Sequence, residues 1–365
     1  MQNTTLTLNR LPVLTWNRLR LNGAAVSAAR PDSPCAAVCN DRAAALTPDA
    51  AAAAALLADP RWAAMETGMG PDFTALLADA PVTLLAAAPD AGPEAPEAPA
   101  VLTLDAGAGG AAPARRVALY APAGSTLSVA LALTGTAAAQ AAVQILVLAE
   151  QGAAVRLAVA QLAGETPLVL TDVGAVCAED ARFELVRVEL GGQAQYTGAA
   201  TALQGRKSTF TARAGYRVRG GRSLDMNYVV RHRGKKTVSD LSAVGVLEQD
   251  AAKLFRGTID FPRGCAGAKG SEKEEILFLG NKQVNQTIPL ILCKEEDVEG
   301  DHGATIGRLP EQVLFYLGSR GIPPKAAEDL IARAKLEAVC ALLPDGPVRA
   351  LAEAALGGEG SSDHD

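Results

Sequence analysis

The chain has 365 residues and a formal net charge of −6, so it lacks the surplus of Lys and Arg that a general binder of phosphate backbones needs. Hydrophobic residues make up 49% of it and aromatics only 4%, which leaves Ala and Val to fill the core and favours closely stacked layers. No run of about 18 apolar residues occurs, the N-terminal MQNTTLTLNRLPVLTWNRLRLN lacks the apolar centre of a secretory leader, and six cysteines then read as reduced thiols of a cytoplasmic, non-membrane protein.

Residues 1–80 read as helical and loop material. Thr47-Pro48-Asp49 offers an N-cap, a first-turn proline and an early acid ahead of the alanine run and Leu56-Leu57, and Pro60 ends that helix. A second helical pattern over 61–79 breaks at Gly68-Met69-Gly70-Pro71 and resumes with Phe73, Leu76 and Leu77. Cys35 and Cys39 fall in a Pro-flanked loop before these helices. With no second pair to close a tetrahedral site, they read as free thiols.

From residue 81 to about 308 the apolar period changes to two. Leu127 to Leu133 alternates, as does Phe183 to Leu190, and the pattern predicts that Val129, Leu131, Leu185 and Val188, or their alternates, point inward. Small pairs at Gly124-Ser125, Gly152-Ala153, Gly191-Gly192 and Gly220-Gly221 recur at unequal spacings and mark corners between strands. Such strand–corner–strand units bury an apolar face only by stacking on one another, which predicts a β-solenoid, with a β-sandwich as the rival. Residues 89–100, rich in Pro, Glu and Ala, read as an extruded loop. After Pro310 the period returns to helical. Val313, Leu314 and Leu317 form one stripe, Leu330, Ile331, Leu336 and Val339 another, and Pro323-Pro324 begins a helix. Residues 357–365, with His364, read as a disordered polar tail.

Three regions hold residues capable of chemistry. Residues 206–236 carry ten Lys and Arg against the single acid Asp225, and Arg217 and Arg219 share a strand face. With few aromatics and no RNP-like motif, this basic run reads as a docking or solvated face, not a nucleic-acid site. His302 stands one residue from a run of five carboxylates, Glu295, Glu296, Asp297, Glu299 and Asp301. Imidazole among carboxylates suits iron or zinc, and a histidine capping the end of the solenoid is the plain alternative. Cys265 and Cys293 lie in alternating apolar context and read as packed thiols. There is no G-x-x-x-x-G-K-[ST] loop and no G-x-S-x-G elbow. With only His232 and His302 outside the tail, a Ser-His-Asp hydrolase has little to work with.

Several of these residues carry a resemblance. Phe255, Gly257 and Ile259, the run Asp301-His302-Gly303-Ala304-Thr305-Ile306-Gly307, and Leu314-Phe315-Tyr316 followed by Ser319-Arg320-Gly321-Ile322 resemble the closing segment of the SufB/SufD family of iron–sulfur cluster assembly proteins, most closely its SufD branch. Weaker likeness extends through Asp225, His232, Ser239 and Gly245, and Trp16 sits in an N-terminal segment of the family's kind.

The resemblance implies a right-handed parallel β-helix, with an N-terminal helical region over 1–80 and a C-terminal one over 309–365. It also implies a non-enzymatic scaffold that joins a SufB-type paralogue and SufC-type ATPases, with a homodimer as the state of the isolated chain. His302, flanked by Asp301 and Gly303, would lie on the cluster-assembly interface as a metal ligand shared with the partner. Leu314, Phe315, Tyr316, Arg320 and Ile322 would bind the ATPase. Any iron–sulfur cluster would be transient and held only in the complex, and no flavin fingerprint is present. Two departures matter here. Gly300 stands where a cysteine often precedes the histidine, and Gln283 stands where SufB-like chains carry a thiol, so cluster sulfur ligands must come from the partner. Two other readings stay open: a polysaccharide-acting β-helix enzyme using Arg217, Arg219 and the 295–301 carboxylates, and a purely structural solenoid adaptor.

Overall fold

The computed structural model describes residues 3–13, 15, 17–88, 98–107, 110–136 and 138–358. Trp16, most of the 89–100 loop and the end of the tail with His364 lie outside the described residues.

The chain winds into a parallel β-solenoid of about seven turns. Each coil contributes one strand to each of two sheets. In one sheet Ala154 lies beside Arg182 and Arg182 beside Thr209; in the other Ala194 lies beside Ser223 and Ser223 beside Ala252. Two corners join the sheets in every coil. At the first, Gly124, Gly152, Asp180, Lys207 and Lys236 take left-handed backbone in successive coils; at the second, Gly192, Gly221, Gln249 and Gly280 do. The uneven glycine spacing in the sequence therefore mixes two regular columns. Gly124 and Gly152 belong to one corner and Gly192 and Gly221 to the other.

Between the sheets lies an interior lined by Leu127, Val129, Leu131, Leu133, Phe183, Leu185, Phe210 and Leu241, all buried. Val188 is buried too, but on the other face of its strand. It packs with Ala332, Leu336 and Val339 of the C-terminal helix Pro324–Cys340, so the expectation that it points inward is corrected. The strand Arg182–Glu189 alternates without a break, but its apolar residues change face halfway. Phe183 and Leu185 point inward, then Val186 and Val188 point out to the helix and the inward places fall to Arg187 and Glu189. These two charges form an ion pair of 2.7 Å inside the solenoid, and Arg187 also donates to the Gly198 carbonyl at 3.1 Å and to Thr171 Oγ1 at 2.5 Å.

The N-terminal region differs from its reading as helix and loop. Asn3–Leu8 and Ala24–Ala29 pair as an antiparallel ribbon, and Ser33–Pro34 and Ala36–Cys39 join the first coils. Four short helices follow, and Asp49, not Thr47, caps Ala50–Leu57 by accepting from the Ala52 N–H. Pro60 does not merely end that helix; it opens the next, Pro60–Ala64, behind the cap Asp59. The C-terminal helices are Glu311–Ser319, Pro324–Cys340 and Pro347–Gly358.

One row across the outer face of the second sheet anchors the N-terminal segment. Arg116, Gln144, Asp172, Gly198 and Asn227 lie side by side in register. Asp172 Oδ1 accepts from the Met69 N–H at 3.0 Å, and Asn227 Nδ2 donates to the Gly68 carbonyl at 2.7 Å. Burial pushes the Asp172 carboxyl up to about 6. Backbone meets backbone here: a Cβ on Gly68 would lie 2.1 Å from the Ala199 nitrogen. Gly68→Ala should therefore lift the segment off the sheet and destabilise the protein by about 2 kcal/mol. Thermal unfolding beside a surface control such as Ala51→Ser checks this.

Candidate functional site

The strand Val298–Gly307 closes the solenoid. It pairs with Ala268–Leu279 on one side and, among the described residues, with nothing on the other. Register fixes which way its side chains face. His302 lies beside Glu272, Glu272 beside Leu241, Leu241 beside Ala212 and Ala212 beside Leu185, and the last three line the interior. His302 therefore belongs to the inward-facing row and is exposed only because no further coil covers it. Gly300 shares that row, while Asp301 and Gly303 alternate to the outer face, where nothing lies within 4 Å of a Cβ built on Gly303.

The carboxylates adjacent in sequence do not gather round His302. Glu299 pairs with Lys269 at 2.8 Å, and Glu295 accepts from the Gly264 N–H at 2.7 Å at the preceding corner. The acid in register with His302 is Glu272, which is 3% exposed. Behind it Glu274 binds the Lys253 ammonium at 2.5 Å and accepts from the Tyr216 hydroxyl at 2.9 Å and the Thr287 hydroxyl at 2.6 Å. Glu272 lies in the field of the same buried ammonium. Burial, and then the neighbouring Glu274 charge, push the Glu272 carboxyl up to about 8. The signal was present in the sequence: Glu272 and Glu274 occupy the inward positions of their strand, where apolar residues are the rule. Among the described residues no group of three or more His, Cys, Asp or Glu could hold a metal ion, so His302 offers one donor only.

The other expected residues are placed as follows. In the helix Glu311–Ser319, Phe315 is 80% and Tyr316 56% exposed, and the Arg320 guanidinium lies 5.0 Å from the Tyr316 ring centroid. Leu314 and Ile322 are half-buried beside them. Arg217 is buried on Glu248 and reaches Asp329 of the covering helix at 3.5 Å, while Arg219 meets the same Glu248 at 3.3 Å. Neither arginine is free to bind a ligand, and neither converges with the 295–301 acids. Gln283 donates to the Leu279 carbonyl at 2.6 Å in the corner before the last coil. Cys265 is buried as expected, but Cys293 is exposed, because it ends the last strand of its sheet and no later coil packs on it. Cys35 is buried, with its thiol pushed up to about 11, and is inert; Cys39 is exposed.

The family model for the SUF system FeS cluster assembly, SufBD core domain, matches residues 104–335, and the chain belongs to this family. It is 31% identical to the iron–sulfur cluster assembly protein SufD of Bacillus subtilis over 126 residues, 34% of this chain and 29% of that protein. It is 25% identical to SufB of the same organism over 169 residues, 46% of this chain and 36% of that protein. The chain thus spans about a third of the length of these curated relatives. Among the described residues no helix is long and apolar enough to cross a membrane.

His232, the other described histidine, is structural. Thr237 donates to the Gly234 carbonyl, so its oxygen accepts from His232 Nδ1–H at 2.8 Å and leaves Nε2 to accept from Ser239 Oγ at 2.9 Å. Burial pulls the imidazole from 6.5 down to about 4. Between those values the unfolded chain binds a proton that the folded one excludes, so this stability is present above pH 6.5 and is lost as pH falls towards 4. The urea midpoint of the wild type should fall more steeply from pH 7 to 5 than that of His232→Gln. Parallel curves would remove the histidine from the account.

Proposed function

We propose that this chain is a SufD-like scaffold subunit of a cytoplasmic iron–sulfur cluster assembly complex, working beside a SufB-type paralogue and SufC-type ATPases. One observation carries the reading: among the described residues, His302 faces the mouth of an uncapped solenoid, next to a free strand edge, with no ligand set of its own. A paralogue that pairs with Val298–Gly307 would cover the unpaired backbone groups and set its own thiolates opposite His302. The cluster is cargo on this reading, built at the shared face and passed on. The role of the chain is to position an imidazole, whose ring nitrogen serves as ligand or proton acceptor. The ATPase side falls to Phe315, Tyr316 and Arg320, whose exposure on a helix packed against Pro324–Cys340 suits an aromatic anchor. Strain produced when the ATPases close would pass through that helix to the sheet, where Arg217, Glu248 and Asp329 tie the two together.

His302→Ala should leave the complex assembled and lower its rate of loading with iron and sulfide under anaerobic reconstitution, while Cys265→Ala should leave that rate unchanged. Loading at the wild-type rate would make His302 an end-cap and favour the adaptor reading. Phe315→Ala with Tyr316→Ala should weaken ATPase binding by about 2–4 kcal/mol and leave the solenoid's melting temperature in place. Unchanged affinity would move that interface elsewhere.

A further inference from the structure

Around the segment that starts at Met65, over the outer face of the second sheet, opens a cleft of about 720 Å³, a size that suits a small organic ligand. Its walls are aliphatic, with Met65, Ala75, Ala78, Ala200 and Val229, and no aromatic ring lines it among the described residues. Its charged lining is Arg10, Arg116, Arg231 and one acid, Glu66, which is already bound to Arg231. Arg116 stands at one end. Its side chain has no hydrogen-bond or ion-pair partner among the described residues, its Nε is sealed from solvent, and burial pulls its pKa below the usual guanidinium range. At the other end Asn227, 1% exposed, turns an unpartnered carbonyl oxygen to the same lining. Register puts four strand spacings between Arg116 and Asn227, about 19 Å.

A guanidinium without a counter-charge in a partly dry trough carries an unrelieved desolvation cost, and a bidentate carboxylate or phosphate relieves it. The aliphatic walls then choose the rest of the ligand. A nucleobase or other ring would find nothing to stack on, and a bare inorganic anion would leave the trough empty. We propose that this cleft binds an elongated organic anion, its carboxylate or phosphate on Arg116 and an unbranched aliphatic body along Ala75, Ala78 and the floor of Ala200 and Val229. The site uses none of the residues of the closing strand and stands apart from the assembly function proposed above.

Calorimetric titration of the full chain with decanoate, decyl phosphate, decan-1-ol and inorganic phosphate, each below its micellar range, tests this. One molecule of decanoate or decyl phosphate should bind per chain, and the tighter of the two identifies the head group. The alcohol and inorganic phosphate should each bind at least about tenfold more weakly. Arg116→Met, which keeps the side chain's bulk, should lower the anion's affinity at least about tenfold without lowering the melting temperature. Val229→Trp should block binding with Arg116 intact. The proposal is overturned by the absence of saturable binding of either amphiphile, by wild-type affinity in Arg116→Met, or by inorganic phosphate binding as tightly as decyl phosphate.

Discussion

A parallel coil satisfies its backbone through the coil before it and the coil after it, and every other feature of this protein depends on how the two ends of that stack are treated. The first end is capped. Ala36–Cys39 lies antiparallel on Ala100–Asp105, and the short helix Asp41–Ala45 packs over that strand. At the last end Val298–Gly307 is left, among the described residues, with a free edge and an almost wholly exposed surface. The asymmetry puts the histidine, the buried acids behind it and an exposed cysteine at the one place where the protein is structurally incomplete. On the proposed reading, a second body finishes the site there.

The interior of the solenoid is more polar than a β-solenoid core needs to be. Arg187 with Glu189 and Lys253 with Glu274 are ion pairs almost out of contact with solvent. Such pairs contribute little net stability, because desolvation offsets the attraction, yet removing one partner costs about 3–5 kcal/mol. The charges lie inside because the outer faces are also claimed. The C-terminal helices bury Val188, Val246, Leu277 and Leu279 from outside, while Met69 and Phe73 of the N-terminal segment cover Ala142 and Leu170 on the opposite sheet. Strands buried on both faces cannot follow a simple alternation of apolar and polar residues.

That double burial explains what could be read from the sequence. Leu127 to Leu133 alternates because its inward residues are large and its outward ones, Ser128, Ala130 and Ala132, are small, so its orientation was legible. Phe183 to Leu190 looked equally regular, but beyond Leu185 its apolar residues, Val186 and Val188, lie on the outer face, where the C-terminal helix covers them. The strands Asn3–Leu8 and Ala24–Ala29 were hidden by their small and polar composition. His302 and the helix Glu311–Ser319 stood out through their family motif. The partner of His302 did not: Glu272 lies some thirty residues earlier, and pairing across coils depends on the register, which the corners set. The nearby run 295–301 was the more visible cluster and the less relevant one. The exposure of Cys293 was illegible for the same reason, since an alternating apolar context promises burial only where another coil follows.

The central claim is that the free edge at Val298–Gly307 is where a SufB-type paralogue joins. Hydrogen–deuterium exchange of this chain, alone and mixed with that paralogue, addresses it directly. The account predicts that the amides of Val298–Gly307 pointing away from Ala268–Leu279 exchange quickly in the free chain and become protected on mixing, while the antiparallel cap at Ala36–Cys39 is unchanged. Protection confined to the cap, or none at the closing strand in a complex that demonstrably forms, would contradict it.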